Sequence, residues 1–350
     1  MTPGRVRSGW WPWVLNAAVF LVLAAGTQMI ARQGAPWDPA SWAAPWSGDV
    51  ILVFASLLLL GLCFVLPLHA GVLNLGIYAQ FLAGFATAAV ISRMTFLDVT
   101  MRAGLSALAG AGAGALVGWV ILGLKWRFAV HEALSGILLG GLLAPAARAV
   151  PLAHASLPAL TTDPALPGAP PWAPGFGLSS HIVLVGGVAA LLFGVLVAVA
   201  FAHVLRASAP GFDLRIVGSN PLAAMAAGVD VDRAQGFTLT AGGAFAGLAG
   251  ALQLWTHSSS ALERWPVPLA LAGLTVAVFG MGSTRGVLLA SLLFAAWLSA
   301  PGTPVFLGSA GWTAAVAALL LLPSLWVLPR LLPDQGAPRA LWRTRHRETY

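Results

Sequence analysis

The feature that most constrains this chain is the run from Leu184 to Leu205, which contains no Asp, Glu, Lys or Arg. An α-helix of about 20 apolar residues covers the roughly 30 Å of hydrocarbon in a bilayer. A run of this length and character therefore predicts a membrane-spanning helix. Similar windows lie near 13–31, 49–68, 72–92, 103–124, 131–149, 235–256, 266–283, 286–301 and 309–329, making ten with 181–205. The windows 131–149 and 286–301 are short, so each is read as either a full span or a half-membrane helix.

Composition supports this reading and closes off others. The chain is 59% hydrophobic and 8% charged, whereas soluble domains carry roughly a quarter charged residues. An ordinary soluble protein is excluded. The net charge of +7 is scattered between apolar runs, so it forms no basic face for nucleic acid. Cys63 is the only cysteine, which rules out an intramolecular disulfide or a cysteine-based metal cluster and leaves a packing role. The first apolar run, Val14 to Ile30, is longer than the roughly 7–15 residues of a signal peptide's apolar region, and it is read as an uncleaved span.

Loop charges set the orientation. With a cytoplasmic N-terminus, Arg5, Arg7, Lys125, Arg127, Arg206, Arg215, Arg233, Arg285, Arg330, Arg339, Arg343, Arg345 and Arg347 fall inside. Outside are only Arg32, Arg93, Arg102, Arg148 and Arg264, the asymmetry expected of cytoplasmic loops. The expected fold is all-α: a polytopic transmembrane helical bundle of about ten spans with both termini cytoplasmic. One transmembrane domain covers 1–330 and a basic cytoplasmic tail covers 331–350. Residues 150–180 contain seven prolines and are read as an external loop, because proline disrupts helix interiors. Tryptophans such as Trp37, Trp126, Trp265 and Trp312 sit near span ends, where indole anchors at the headgroups.

Glycines are dense in two spans, Gly104, Gly110, Gly112, Gly114 and Gly118 in one and Gly242, Gly243, Gly247 and Gly250 in the other. They are read as lying on one face of each helix, for close packing or for sliding. Asn74, Gln80 and Gln253 are polar groups at membrane depth, either lining a route or bonding helices together. His131 and Glu132 open a span, where a carboxylate suits the positive end of the helix dipole. His131-Glu132-Ala-Leu-Ser135 lacks the second histidine of a zinc-protease helix, and no metal site is expected.

Several chemistries lack their residues. The only lysine, Lys125, stands outside any phosphate-binding Gly-x-x-x-x-Gly-Lys-Ser/Thr loop, so this chain is no ATPase. It has no Gly-x-Ser-x-Gly elbow and no paired carboxylates within the spans, so no catalytic residues are assigned and a membrane enzyme is the weaker alternative. An ion-coupled secondary transporter would use a buried carboxylate or a broken-helix ion site. No Asp or Glu lies mid-span.

The cytoplasmic loop 206–234 carries the most specific local signal. Asn220 can cap a helix, Pro221 suits its first position, Leu222 to Ala227 are mostly strong helix formers, and Gly228 fits a left-handed stop. A helix this short is marginal alone in water, so it is expected to dock.

The same loop resembles that of the permease subunits of ABC importers for nucleosides and simple sugars, the ribose type. The family pattern Leu-Arg-x-x-Gly-x-Asn-Pro-x-Ala-Ala-x-x-x-Gly is matched by Leu214, Arg215, Gly218, Asn220, Pro221, Ala223, Ala224 and Gly228. Gly71-Val-Leu-Asn-Leu-Gly76 with Gln80, His131-Glu132 with Ser135, and the run Leu274 to Ala290 are similar to further family segments in the same order. The resemblance implies that 218–228 is the coupling helix that inserts into a separate ATPase subunit. It also implies a second permease, identical or related, and an extracytoplasmic substrate-binding protein. By this resemblance the chain would lie in the cell inner membrane and bind no cofactor itself, ATP belonging to the partner subunits. Tyr78 and Ala79 replace the family's Glu and Gly, and Gly140-Gly141 its Asn-Tyr. These departures bear on the solute class.

Overall fold

The computed structural model describes residues 48–94, 96–152, 180–253, 266–280 and 282–298. The expected spans 13–31 and 309–329, most of the Pro-rich loop and the tail lie outside the described residues. Every regular element among those described is an α-helix: α1 (Gly48–Leu68), α2 (Ile77–Ile91), α3 (Val99–Phe128), α4 (Glu132–Leu152), α5 (Ser180–Ala207), α6 (Ala209–Ser219), α7 (Pro221–Ala226), α8 (Val231–Gln253), α9 (Pro266–Phe279) and α10 (Thr284–Leu298). By length and composition, Ile51–Leu68, Thr100–Phe128 and Gly187–Ala207 can each cross a membrane.

α1 is apolar on every side, and Leu57, Leu58, Leu59 and Leu60 are consecutive and fully buried. A helix with no polar face belongs inside a bundle. α1 is accordingly surrounded by α5, α8, α9 and α10. α8 is the other central helix, packed against α1, α2 and α3. It is less apolar than the three helices long enough to cross, which suits a helix whose neighbours shield it from lipid. α5 and α3 turn large apolar residues outward instead, among them Leu192, Leu196, Leu108 and Leu116.

The contact between α3 and α8 is built from backbone. A Cβ at Gly114 would overlap the Gly243 carbonyl oxygen and lie 2.7 Å from the Gly247 backbone nitrogen. Gly110 and Gly118 continue the seam one turn to each side, and Gly84 of α2 approaches the Gly247 carbonyl from a third direction. Such close approach is how helices pack where lipid removes the hydrophobic drive between them. The expectation that all five glycines of α3 share a face is corrected: among the described residues, a Cβ at Gly104 or Gly112 meets nothing within 4 Å. In a helix of 3.6 residues per turn, two residues on from Gly110 is nearly the opposite side.

Three boundaries also differ from the sequence reading. The window 72–92 resolves into a non-helical stretch before α2, with Val72 and Asn74 buried and Gly71 at φ +73. Hydropathy cannot register this break, because Val72, Leu73 and Leu75 are as apolar as a helix would be. Irregular backbone at such depth is tolerated where protein surrounds it. The loop 206–234 is largely helical, and α8 starts at Val231 rather than 235. α4 runs to Leu152, through Pro145 and Pro151, and so takes in the first residues assigned to the Pro-rich loop.

Candidate functional site

The residues between α5 and α8 form a compact module at one end of the bundle. Ser208 caps α6, its hydroxyl oxygen accepting from the Gly211 N–H at 3.2 Å, with Pro210 in the first turn. α6 turns Gly211, Leu214 and Val217 inward. Leu214, Val217 and Ala224 then join Ala70 and Leu205 in a small apolar core, with Phe201 and Val229 against it.

α7 is short but closed at both ends. Asn220 Oδ1 accepts from the N–H groups of Leu222 and Ala223, each at 3.1 Å. Pro221 occupies the first turn, where its missing N–H is no loss. Beyond the helix Gly228 takes φ +80, its N–H donating to the Met225 carbonyl at 3.0 Å while Val229 N–H donates to the Ala224 carbonyl at 2.9 Å. This pair is a Schellman closure, which needs a left-handed residue at the glycine position. Ala224 is fully buried beneath the helix. Ala223, Ala226 and Ala227 face outward, with Met225 and, on α6, Phe212 half exposed. Arg215 is exposed on α6.

Gly218 fixes the module to the bundle. A Cβ there would overlap the His69 carbonyl oxygen and lie 3.4 Å from the Gly71 nitrogen, so α6 rests directly on the backbone between α1 and α2. His69 is held in turn, its Nδ1 at 2.8 Å from the Val65 carbonyl and its ring edge-on to Phe201 at 5.5 Å. Burial pushes its imidazole below the ordinary value, against the opposing effect of that hydrogen bond.

A polar clamp lies beside this seat. Lys125 Nζ donates to Gln235 Oε1 at 2.8 Å and pairs with Glu132 Oε2 at 3.3 Å. Gln235 Nε2 donates to the Ala70 carbonyl at 3.2 Å. The ends of α3, α4 and α8 are thereby tied to the same short backbone segment that carries α6. Glu132 was read from sequence as a helix-dipole residue; its place in the clamp depends on Lys125 and Gln235, which come from distant parts of the chain.

The buried polar residues separate into two places. Asn74 Nδ2 donates to Gln80 Oε1 at 3.0 Å and approaches Cys63 Sγ at 3.2 Å, while Asn74 Oδ1 accepts from the Gly76 N–H at 3.1 Å. Both side chains are buried, and Gln80 Nε2 has no hydrogen-bond partner among the described residues. It faces α8, 3.3 Å from where a Cβ on Gly243 would stand. Gln253 ends α8 and is also buried, ten residues beyond Gly243 and so about 15 Å further along the axis.

The sequence reading missed α6 as a separate helix, and it missed His69, Lys125 and Gln235. Ser208 followed by Pro210 was the available signal for α6. The other three carry no local pattern.

The family described as branched-chain amino acid transport system, permease component, matches residues 48–325. A guanosine ABC transporter permease of Bacillus subtilis is 26% identical over 284 residues, 80% of each chain. A glucose ABC transporter permease of Haloferax volcanii is 27% identical over 259 residues, 71% of this chain and 67% of that one. Among solved structures, an inward-facing ABC transporter chain aligns over 91% of this chain and 97% of its own at 14% identity, with a TM-score of 0.42.

Proposed function

This chain belongs to the family of branched-chain amino acid transport system permease components, and from that premise we propose that α7 is the element through which ATPase subunits move the bundle. The family is a membrane transport component of ABC systems, which work with ATPase partners. The observation that carries the proposal is the seat of Gly218 on the His69–Gly71 backbone. A push on α7 passes through α6 into the segment that joins α1 to α2, and the Lys125–Gln235 clamp spreads it to α3, α4 and α8. Outward-facing alanines, Met225, Phe212 and Arg215 give α7 and α6 a surface that can enter a partner's groove. The residues assigned to this contact are Arg215, Gly218, Asn220, Pro221, Ala223, Ala224 and Gly228.

The proposed cargo is a small polar solute of the nucleoside or sugar class, moved inward. Relatives named for guanosine and glucose support that class. The complete unit would contain two permeases, identical or related, ATPases that hold the ATP, and an extracytoplasmic substrate-binding protein. Ten spans in the inner membrane with both termini cytoplasmic fit the loop charges.

The test is purification of the tagged full chain from its native membrane in mild detergent, with vesicle uptake of guanosine and glucose as tracers. An ATPase subunit in near-equal amount is expected. Its absence across several detergents would move the ion-coupled alternative to first place.

Asn74, Gln80 and Gln253 are proposed to border the solute route when α2 and its leading segment shift. The Gln80 Nε2 group, without an acceptor among the described residues, supports this, since a buried donor without an acceptor costs roughly 1–3 kcal/mol that a solute oxygen could recover. Alanine at both Asn74 and Gln80 is expected to raise the KM for tracer uptake about tenfold while the chain stays abundant. Unchanged uptake kinetics would assign both residues to packing.

A further inference from the structure

The outward face of α5 changes character along its length. Val185, Val188, Leu192, Leu196 and Val199 are exposed at steps of three and four residues, which places them on one stripe. The same stripe continues into His203 and Arg206, both exposed, in the last turns. α10 runs beside α5 and carries exposed Leu289 and Leu293 in line with Arg285 at its start. Each apolar track ends in an arginine, Arg206 on α5 and Arg285 on α10.

Between those ends lies a cavity of about 290 Å³, lined by Val199, Ala202, His203, Arg206, Thr284 and Arg285 among others. Among the described residues no carboxylate lines it and neither arginine is in an ion pair. Two guanidinium groups without counter-charge among the described residues, at the mouth of an apolar groove, call for an anion that brings its own hydrocarbon.

We propose that this cleft binds one anionic glycerophospholipid per chain, its phosphate between Arg206 and Arg285 and its acyl chains along the α5 and α10 stripes. Guanidinium groups match phosphate oxygens in geometry as well as charge, and basic pockets between membrane helices suit anionic headgroups. Thr284 adds a hydroxyl donor to the same cavity. A second copy of the chain fits less well. A two-fold axis along the membrane normal would bring the arginines of both copies to one depth, with no carboxylate lining the cleft to separate them. The bound lipid would brace the end of α5 next to α6.

The experiment is native mass spectrometry of the detergent-purified full chain, titrated with phosphatidylglycerol, phosphatidylcholine or inorganic phosphate. One phosphatidylglycerol should be retained with about tenfold preference over phosphatidylcholine. Arg206→Gln with Arg285→Gln should erase that preference, whereas Arg127→Gln, an exposed cation at the same end but outside the cavity, should keep it. Should the double variant not elute as a single species, Arg285→Gln alone is expected to lose about fivefold. Equal retention by the variants overturns the proposal, as does equal loss in Arg127→Gln, which would mean diffuse attraction. Displacement of the lipid by inorganic phosphate at equal concentration overturns it in favour of a free-anion site. Disulfide-linked pairs formed by Leu196→Cys in a Cys63→Ala background would make the face an interface between copies.

Discussion

Proline at position 228 is expected to cut the amount of ATPase subunit co-purifying with the chain at least tenfold and to abolish tracer uptake, with insertion and abundance near wild type. Gly228 sits at φ +80, and proline is locked near −65° and has no N–H to donate. The substitution therefore forbids the turn and removes the bond to the Met225 carbonyl. A six-residue helix has little stability of its own, so α7 would lose its end and its register over Ala224. Alanine at the same position separates geometry from bulk: none of the described residues lies within 4 Å of a Cβ there, and the left-handed backbone costs it only about 1–2 kcal/mol. Gly228→Ala should retain a measurable fraction of both signals. Ala224→Trp, which forces a large ring under α7, should behave like the proline. Full ATPase recovery in the proline and tryptophan variants would place the partner's contact elsewhere on that end of the bundle.

Valine at Gly114 should leave less than a tenth of the chain as a single species on gel filtration, while valine at Gly112 should be indistinguishable from wild type. The two positions share a helix and a side chain, so propensity cancels between them. They differ in what the new atoms meet: backbone of Gly243 and Gly247 in one case and, in the other, no described residue within 4 Å of the Cβ. Overpacking against side chains typically costs roughly 1–3 kcal/mol, and here the obstacle is main chain that has no rotamer to change. Surface changes away from such features usually stay within about 0.5 kcal/mol. Equal yields would mean that α3 and α8 can separate at no cost, and the seam would lose its standing as the centre of the fold.

What could be read in advance was local. Asn220, Pro221 and Gly228 specify α7 through caps and a stop whose physics involves neighbours in sequence, and the structure closes the helix by those same groups. The long spans were legible because hydrocarbon thickness imposes a length. The break before α2 was not, since an apolar window reports the surroundings of side chains and is blind to the path of the backbone. Nor could spacing alone sort the glycines of α3, because Gly112 differs from Gly110 and Gly114 only in which helix, if any, lies opposite. The Lys125–Gln235 bond joins residues 110 apart; nothing near either one names its partner. Asn74 and Gln80 were visible as polar groups in apolar surroundings, but their mutual bond depends on the turn at Gly76.

The burial of α1 on every side has a consequence for how the protein comes into being. It precedes its enclosing neighbours in the chain, and α5, α8, α9 and α10 all leave the ribosome after it. No nascent intermediate can hold α1 in its final surroundings, and until synthesis has passed residue 298 part of its surface must be met by lipid or by an insertion chaperone. Its sequence, free of charge from Val50 to Leu68 and polar there only at Ser56, suits both lives, as a lone segment dissolved in the bilayer and then as the axis around which later segments close.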